Sequence, residues 1–379
     1  MKNITLLGST GSIGKNTLKV VFAHQDQFKI KALVAHSNLT LLEQQIKEFR
    51  PEVVALYDEK KAKELKAKES LLNVKVLSGL EGILEIASMR GCDLCVCAMS
   101  GAIGLEPALA AIHANVDLAL ANKEILVAAG ELIMELARKK NVKVLPIDSE
   151  HSALFQILEG KKNEEVERLI LTASGGPFFR KEIDFKKVSV EMALSHPTWK
   201  MGPKNTIDSS TMMNKGLEVI EAYWLFNISL DKIDVVVHPQ SLIHSFVEFI
   251  DGSLLAQMSE NTMLLPIQYA LSYPKRIKRM VKPFDFQLFS RCDFFPPDRE
   301  KFPCLDLAYE ALRLGGTAPC FMNAANEVLV NRCLNGNILW HEIAQKLTKL
   351  LSSYRQIMQP SLETLFAEDE KARAKALEI

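Results

Sequence analysis

The sequence predicts an α/β protein with an N-terminal doubly wound parallel sheet, a central α+β segment and a C-terminal helical bundle. Three observations lead there. Through the first 150 residues, short apolar runs alternate with stretches of helical spacing, and a glycine-rich turn follows the first run directly. This is how strands joined by crossover helices read, because a parallel sheet is covered on both faces. Beyond residue 151 the rhythm changes to apolar runs lying close together, which suits a mixed sheet. With 379 residues, 48% hydrophobic and 24% charged, the chain can bury a sizeable core in two or three domains.

Taken in order, the apolar runs at residues 4–7, 30–35, 53–57, 74–77, 94–98, 116–121 and 142–147 are the strands of the first segment. Between them lie patterns such as Leu41, Leu42, Gln45, Ile46 and Phe49, spaced as one face of a helix. A short helix over 153–158, ended by Gly160, opens the second segment. It leads to a strand at 169–172, a Gly-rich turn and a helix over 212–226. Strands at 235–237, 243–250 and 254–258 follow, the last two joined around Asp251-Gly252 as a hairpin. Residues 281–303 carry Pro283, Pro296, Pro297 and Pro303 among several phenylalanines, which favours a packed linker. Ile343, Leu347, Leu350 and Tyr354 then recur at helical spacing, and Pro360-Ser361 starts a last helix. The divisions expected are 1–150 for nucleotide binding, 151–286 for catalysis and connection, 287–311 as linker, and 312–379 as helical domain.

Charge and cysteine usage narrow the function. Forty-six basic residues balance forty-six acidic ones, so no global field draws the chain to nucleic acid or to an anionic membrane. No charged-then-apolar leader precedes Ile4, and no apolar run approaches the roughly 20 residues a bilayer requires, so a cytoplasmic protein is expected. The seven cysteines lack metal-like spacing, and Cys95 and Cys97 alternate as strand-core residues do.

Gly8-Ser9-Thr10-Gly11-Ser12-Ile13-Gly14 follows the first strand and opens the first helix. The spacing is GxxGxxG. Such a turn lets backbone approach a pyrophosphate at a helix N-terminus, although a plain tight turn reads alike. Its setting in strand, helix and continuing alternation favours a Rossmann-like dinucleotide site. After the second strand comes Ala35-His36-Ser37-Asn38, without the acid that binds a ribose 2′-hydroxyl in NAD enzymes. His36, Ser37 and Asn38 can donate to a 2′-phosphate, so NADP is favoured over NAD; an exposed loop histidine is the plainer reading of His36.

Asp148-Ser149-Glu150 follows the last strand of the sheet. If the segment is extended, side chains at i and i+2 face one way and the two acids can share a hard cation, Mg²⁺ or Mn²⁺. If it is helical, they are first-turn acids. A third carboxylate, Glu218, lies on the helix beginning near Thr211. Its apolar stripe of Met213, Leu217, Ile220 and Trp224 leaves Asn214, Lys215, Glu218 and Glu221 on the other side, as a solvated surface helix also would. Ser209, Ser210 and Thr211 crowd its expected N-terminus, where a phosphate is favoured. Glu218 stands one turn past Asn214, about 6 Å along the axis, the reach from a phosphate to the middle of a five-carbon sugar. Ser174-Gly175-Gly176-Pro177 and His238-Pro239-Gln240-Ser241 end strands as anion-binding loops do. His196-Pro197-Thr198-Trp199-Lys200-Met201-Gly202 suits a lid, the alternative being that Trp199 is a fixed core aromatic.

These motifs, with Ala121-Asn122-Lys123-Glu124, Pro146-Ile147-Asp148-Ser149-Glu150-His151, Met212-Met213-Asn214-Lys215-Gly216-Leu217-Glu218 and Asn323-Ala324-Ala325-Asn326-Glu327, run in order along the chain. Together they resemble the 1-deoxy-D-xylulose 5-phosphate reductoisomerase family. The resemblance implies NADPH, a divalent metal ion, a sugar phosphate substrate and a homodimer. It implies that Thr10, Gly11, Ser12, Ile13, Asn38, Asn122, Glu124 and Gly202 contact NADPH, and that Asp148, Glu150 and Glu218 hold the metal. Ser174, Ser209, Asn214 and Lys215 would hold the phosphate, with Lys123, Ser149 and His196 along the sugar. Trp199 would cover it, and His238 would lie near the phosphate end. The implied reaction rearranges 1-deoxy-D-xylulose 5-phosphate to an aldehyde and reduces that to 2-C-methyl-D-erythritol 4-phosphate, an isoprenoid precursor. Lys123 and Glu150 are its candidate proton-handling groups. The sequence departs from the family pattern at His36 and Ser37, where many relatives have Gly and a basic residue, and at Thr198, where many have Asn.

Two other readings compete with this one. A metal-free semialdehyde-type NADP dehydrogenase needs an activated cysteine, and neither Cys95 nor Cys97 has a basic neighbour in sequence. A non-catalytic NADP-sensing protein has no use for three carboxylates beside phosphate-binding groups.

Overall fold

A computed structural model describes residues 1–99, 101–199, 201–288 and 290–379. The chain forms two compact units. One comprises Met1–Ile125, Glu131–Ser152 and Thr262–Pro283; the other comprises Leu126–Gly130, Ala153–Asn261 and Phe284–Ile379.

The first unit is built on seven strands, all paired in parallel: β1 (Lys2–Leu7), β2 (Phe28–Ala35), β3 (Val53–Leu56), β4 (Lys75–Ser78), β5 (Leu94–Cys97), β6 (Asp117–Leu120) and β7 (Val144–Pro146). Their order is β4-β3-β2-β1-β5-β6-β7. The order reverses between β1 and β5, so the carboxyl ends of these strands border the crevice where a doubly wound sheet takes its ligand. β3 and β5 are buried at every position, which is why they read as unbroken apolar runs. β7 is shorter than its apolar run. It starts beyond Asn141, whose left-handed backbone ends the preceding helix, and it stops at Pro146, which has no N–H to give to a ladder. Thr262–Pro283, which the sequence reading put in the 151–286 segment, packs with this unit. Its helix Leu264–Ser272 lies against Ser12–Ala23, and Lys2 Nζ donates to the carbonyls of Leu271 and Tyr273.

The second unit holds a mixed sheet of β8 (Val166–Ala173), β9 (Ile233–Val237), β10 (Ile243–Phe249) and β11 (Leu254–Met258), ordered β11-β10-β8-β9. β8 and β9 are parallel, whereas β10 runs antiparallel to both β8 and β11. The hairpin between β10 and β11 is closed by Ser253 N–H donating to Asp251 Oδ1. One apolar core runs from Leu169 and Leu171 of β8 through Leu217 and Ile220 of the helix Met213–Phe226. It continues to Leu305, Phe321, Ile343 and Leu347 of the C-terminal helices. The linker expected over 287–311 is corrected in its last third, where Cys304–Leu314 is a helix. Pro303 immediately precedes it, in the place where a missing N–H costs least, and the prolines before it masked the helical spacing that follows.

Candidate active site

In the first unit the glycine turn is made by backbone. Gly8 N–H and Ser9 N–H both donate to Val34 O, at 2.9 and 2.8 Å, tying the end of β1 to β2. Gly8 has φ +90°, and a Cβ there would stand 2.4 Å from Ala98 O, so only glycine fits. Ser9 is buried and exchanges hydrogen bonds with Gln45 (2.7 and 3.0 Å), which anchors the turn from the helix Leu39–Phe49. Gly11 and Ser12 are exposed, and Thr10 and Ile13 half-buried, where Ser12–Ala23 begins. Free amides and the positive end of the helix dipole meet there. After β2, His36, Ser37 and Asn38 are exposed. His36 stacks on Tyr57 with ring centroids 5.3 Å apart, and Asn38 Oδ1 caps the following helix by accepting from Leu41 N–H. Asn122, after β6, is a clamp. It accepts from Glu124 N–H and donates to Met99 O and Gly101 O, joining the loops beyond β5 and β6.

Beside this clamp lies the acidic end of the same unit. Lys123 is buried and pairs with Asp148 at 2.5 Å. Asp148 immediately precedes the helix Ser149–Leu158, and its carbonyl accepts from Ser152 N–H. Ser149 is buried and donates to Glu150 Oε2 at 2.6 Å. The extended arrangement considered for Asp148 and Glu150 is therefore corrected: Glu150 sits in a first helical turn. A carboxylate oxygen of each acid nevertheless lies within 4.8 Å of the other, and the ammonium of Lys123 adds a positive charge beside Asp148.

In the second unit His196 is the centre. Its Nδ1 accepts from the backbone N–H of Thr198 (3.1 Å) and Trp199 (2.8 Å), so the Nε2 proton faces Ser174 Oγ (3.0 Å) and Ser209 Oγ (3.1 Å). Burial pushes the His196 pKa down and favours the neutral ring. Ser174 Oγ also accepts from Gly176 N–H at 3.2 Å. Gly176 has φ +69°, and a Cβ on it would come within 2.7 Å of Ser209 O. Close backbone approach thus holds the two serines around one imidazole, leaving hydroxyl and N–H donors together as an anion needs. Trp199 is half-buried, its ring 6.4 Å from His244, and Gly202 is exposed at the start of the helix Pro203–Ser210. Lys200 lies outside the described residues.

Two expectations about the neighbouring helix change. Ser209 and Ser210 end the helix Pro203–Ser210, and Thr211 follows it; Met212, with left-handed backbone, separates it from Met213–Phe226. Ser209 and Ser210 therefore close one helix and do not crown the next, while Thr211 Oγ1 accepts from Met213 N–H at 3.3 Å where the next begins. The supposed polar side of Met213–Phe226 is not solvated either: Lys215, Glu218 and Glu221 are buried. Lys215 Nζ pairs closely with Glu218 Oε2, and Asn214 Nδ2 donates to Glu218 Oε1 at 2.5 Å. Sequence reasoning missed that Asp208 and Glu221 are buried, because an acid in an amphipathic pattern reads as surface. His238 is also buried, and both its ring nitrogens are engaged: Nδ1 donates to Asp293 O at 2.9 Å and Nε2 accepts from Leu242 N–H at 3.1 Å. That fixes the loop after β9, with Phe294 stacked on the ring at 4.8 Å.

Cys95 and Cys97 are wholly buried; desolvation raises both thiols, that of Cys97 to about 12. Neither offers the thiolate that the semialdehyde chemistry requires.

A parallel sheet with a glycine turn at its switch point, and a second unit carrying serine, imidazole and ammonium donors, define an NADP-type oxidoreductase for a phosphorylated substrate. Comparison with known proteins gives the particular family. Models of 1-deoxy-D-xylulose 5-phosphate reductoisomerase match residues 4–130, of its C-terminal domain residues 144–226, and of a further DXP reductoisomerase C-terminal domain residues 258–375. The chain belongs to the 1-deoxy-D-xylulose 5-phosphate reductoisomerase family. It is 54% identical over 377 residues to the protein of that name from Protochlamydia amoebophila, covering 99% of this chain and 98% of the relative. It is 50% identical to the one from Thermoanaerobacter pseudethanolicus, with coverage of 99% and 98%. Among solved structures, the Zymomonas mobilis reductoisomerase in complex with NADPH aligns with a TM-score of 0.94 at 40% identity, over 100% of this chain and 98% of that one. A DOX-P reductoisomerase in complex with NADPH, fosmidomycin and magnesium aligns equally well, with the same TM-score, identity and coverage.

Proposed function

We propose that the protein converts 1-deoxy-D-xylulose 5-phosphate to 2-C-methyl-D-erythritol 4-phosphate, using NADPH and Mg²⁺ or Mn²⁺. The full-length family match carries the reading. The glycine turn takes the cofactor pyrophosphate, with Thr10, Gly11, Ser12 and Ile13 at the helix start. His36, Ser37 and Asn38 face the 2′-phosphate; Asn122, Glu124 and Gly202 complete the cofactor contacts. NADPH supplies the hydride that reduces the rearranged aldehyde.

Asp148, Glu150 and Glu218 would hold the metal ion. Their chemistry fits, since all three are oxygen donors and two of them are already matched to buried ammonium groups, Lys123 and Lys215. A divalent ion bound there stabilises charge developing on the ketone and hydroxyl oxygens of the substrate. Lys123 stands against Asp148 as the group that holds a proton beside those oxygens, and Glu150, steadied by Ser149, can accept one. Ser174, Ser209, Asn214 and Lys215 take the phosphate. The Nε2–H of His196 points between the two serines, so this imidazole serves as a neutral donor that draws the phosphate end and the sugar into line. His238 shapes the loop near that end. These contacts are remote from the reacting carbons, so their binding energy serves orientation. Trp199 closes over the sugar and excludes water.

The divisions 1–150, 151–286, 287–311 and 312–379 serve in this reading as functional segments, except that Thr262–Pro283 packs with the first unit and Cys304–Leu314 is helical. A cytoplasmic homodimer is the working form. No helix among the described residues is long and apolar enough to cross a membrane. β11 is a sheet edge with Leu254, Leu255 and Met258 exposed, as a subunit contact requires. The test of function is direct: the pure protein, 1-deoxy-D-xylulose 5-phosphate, NADPH and Mg²⁺ or Mn²⁺ are mixed and nicotinamide absorbance is followed. Substrate-dependent NADPH loss that a chelator stops is expected, and no consumption with either ion overturns the proposal.

A further inference from the structure

Three successive residues at the end of the helix Pro203–Ser210 join the His196 cluster to the C-terminal helices. Ser209 Oγ stands 3.1 Å from His196 Nε2. On one side of it in sequence, Asp208 Oδ1 accepts from Asn326 Nδ2 at 2.8 Å; on the other, Ser210 Oγ accepts from Trp340 Nε1 at 2.7 Å. Asn326 belongs to the helix Ala318–Leu334, and Trp340 opens Trp340–Ser352. The phosphate-side serine is therefore flanked by two tethers to helices more than a hundred residues further along the chain.

The first tether is costly to keep. Asp208 is 0% exposed, and its second oxygen pairs with Lys204 Nζ at 2.9 Å, one turn earlier on its own helix. A carboxylate so far from water must have its charge and lone pairs matched. Asn326 is also 0% exposed, and its Oδ1 has no hydrogen-bond partner. A leucine of similar size would avoid that loss. The amide is explained by its donor, which faces Asp208. Neither the proposed reaction nor the cofactor site uses Asn326 or Trp340, and the Asn323-Ala324-Ala325-Asn326-Glu327 motif is otherwise without a task.

We infer that Asn326 is a positioning residue for substrate phosphate: acting through Asp208, and assisted by Trp340 on Ser210, it fixes the last helical turn so that Ser209 Oγ meets His196. The inference rests on the reading of Ser209 as a phosphate contact. Without the tether the turn can rotate, and a displacement of about 1 Å is enough to lose an oriented donor.

The test is steady-state kinetics at saturating NADPH and Mg²⁺ on Asn326→Leu, Ser209→Ala and the double variant. Inorganic phosphate serves as a competitive probe, with NADPH affinity measured by fluorescence titration. Asn326→Leu should raise the substrate KM and the phosphate inhibition constant about tenfold, with kcat and NADPH affinity nearly unchanged. On the Ser209→Ala background the same change should add less than about twofold, because the group it positions is gone. The exchange Asp208→Asn with Asn326→Asp re-forms the amide–carboxylate bond in reverse and should recover most of the KM. If Asn326→Leu does not fold, Trp340→Phe removes the second tether and should raise KM in the same dependent way. Ser209→Ala with unaltered phosphate inhibition overturns the phosphate assignment, and the inference with it. Ser209→Ala weakening phosphate while Asn326→Leu and Trp340→Phe leave KM alone, or act equally in both backgrounds, overturns the positioning role only.

Discussion

The glycine turn of the first unit and the His196 cluster of the second both offer hydrogen-bond donors to anions, yet they are made differently. The turn is backbone: seven consecutive residues, a positive φ at Gly8 and a helix start supply it, and its anchor, Ser9 on Gln45, comes from the adjoining helix. The cluster is side chain. Ser174 follows β8, His196 stands 22 residues later and Ser209 a further 13. The first depends on backbone alone, with no room for a Cβ at Gly8 or Gly14. The second depends on how separate elements pack, so distant changes reach it.

The sharpest way to break the contrast is Gly8→Ala. A Cβ 2.4 Å from Ala98 O, on a backbone at φ +90°, displaces the turn itself. NADPH affinity should fall by about 100-fold or more, read by fluorescence titration with circular dichroism as a fold control. Retained affinity would show that side chains, not backbone, hold the cofactor. Next comes Glu218→Gln, which keeps the size of the side chain but removes an anion and turns an amide NH₂ toward one of its two donors, Lys215 or Asn214. Divalent-ion affinity should drop by at least roughly tenfold, and turnover with it, while NADPH binding stays intact. Unchanged metal titration together with unchanged turnover would reduce Glu218 to a partner for Lys215. Gly176→Ala is the counterpart of the first change on the other unit. Its Cβ would press to 2.7 Å from Ser209 O, so substrate KM should rise about tenfold with cofactor affinity untouched.

Ser37→Asp has a smaller effect, on selectivity. An acid beside the 2′-phosphate should cut the preference for NADPH over NADH roughly fivefold; equal efficiency with both cofactors in the unmodified protein would refute the reading of that loop. The smallest effect concerns pH. Burial places the folded His196 pKa below the usual 6.5, so the unfolded chain takes up its proton first. The stability held above pH 6.5 is lost as pH falls through the lower folded value. Melting temperatures between pH 7 and 5 should therefore decline more in the unmodified protein than in His196→Asn. Parallel curves would mean that the ring is solvated.

Local reading went furthest where local forces decide. Strands β3 and β5 could be named because they are buried on both faces, and the hairpin at Asp251-Gly252 because its turn residues are adjacent. The helix Cys304–Leu314 was hidden by the prolines preceding it. The helix Pro203–Ser210 was hidden because a polar stretch, Lys204 to Ser210, gives no apolar period until Ile207 and Ser210 are seen buried. Ser209 accordingly stands in another place than expected, at the close of one helix and not at the opening of the next.

What the sequence determined by itself is the set of short-range facts: seven parallel strands, a glycine turn after the first, and the residue types that serve an NADP-dependent reductoisomerase. Backbone torsion preferences and side-chain period act within a few residues, so neighbours in sequence suffice to reveal them. Only the tertiary structure decided that Thr262–Pro283 returns to the first unit, that Lys215, Glu218, Glu221 and Asp208 lie out of water, and that Asn326 meets Asp208. Whether a charged side chain is solvated or buried depends on the partners that pack over it. For Asp208 one such partner, Asn326, comes from more than a hundred residues away, where no periodicity in the sequence records it.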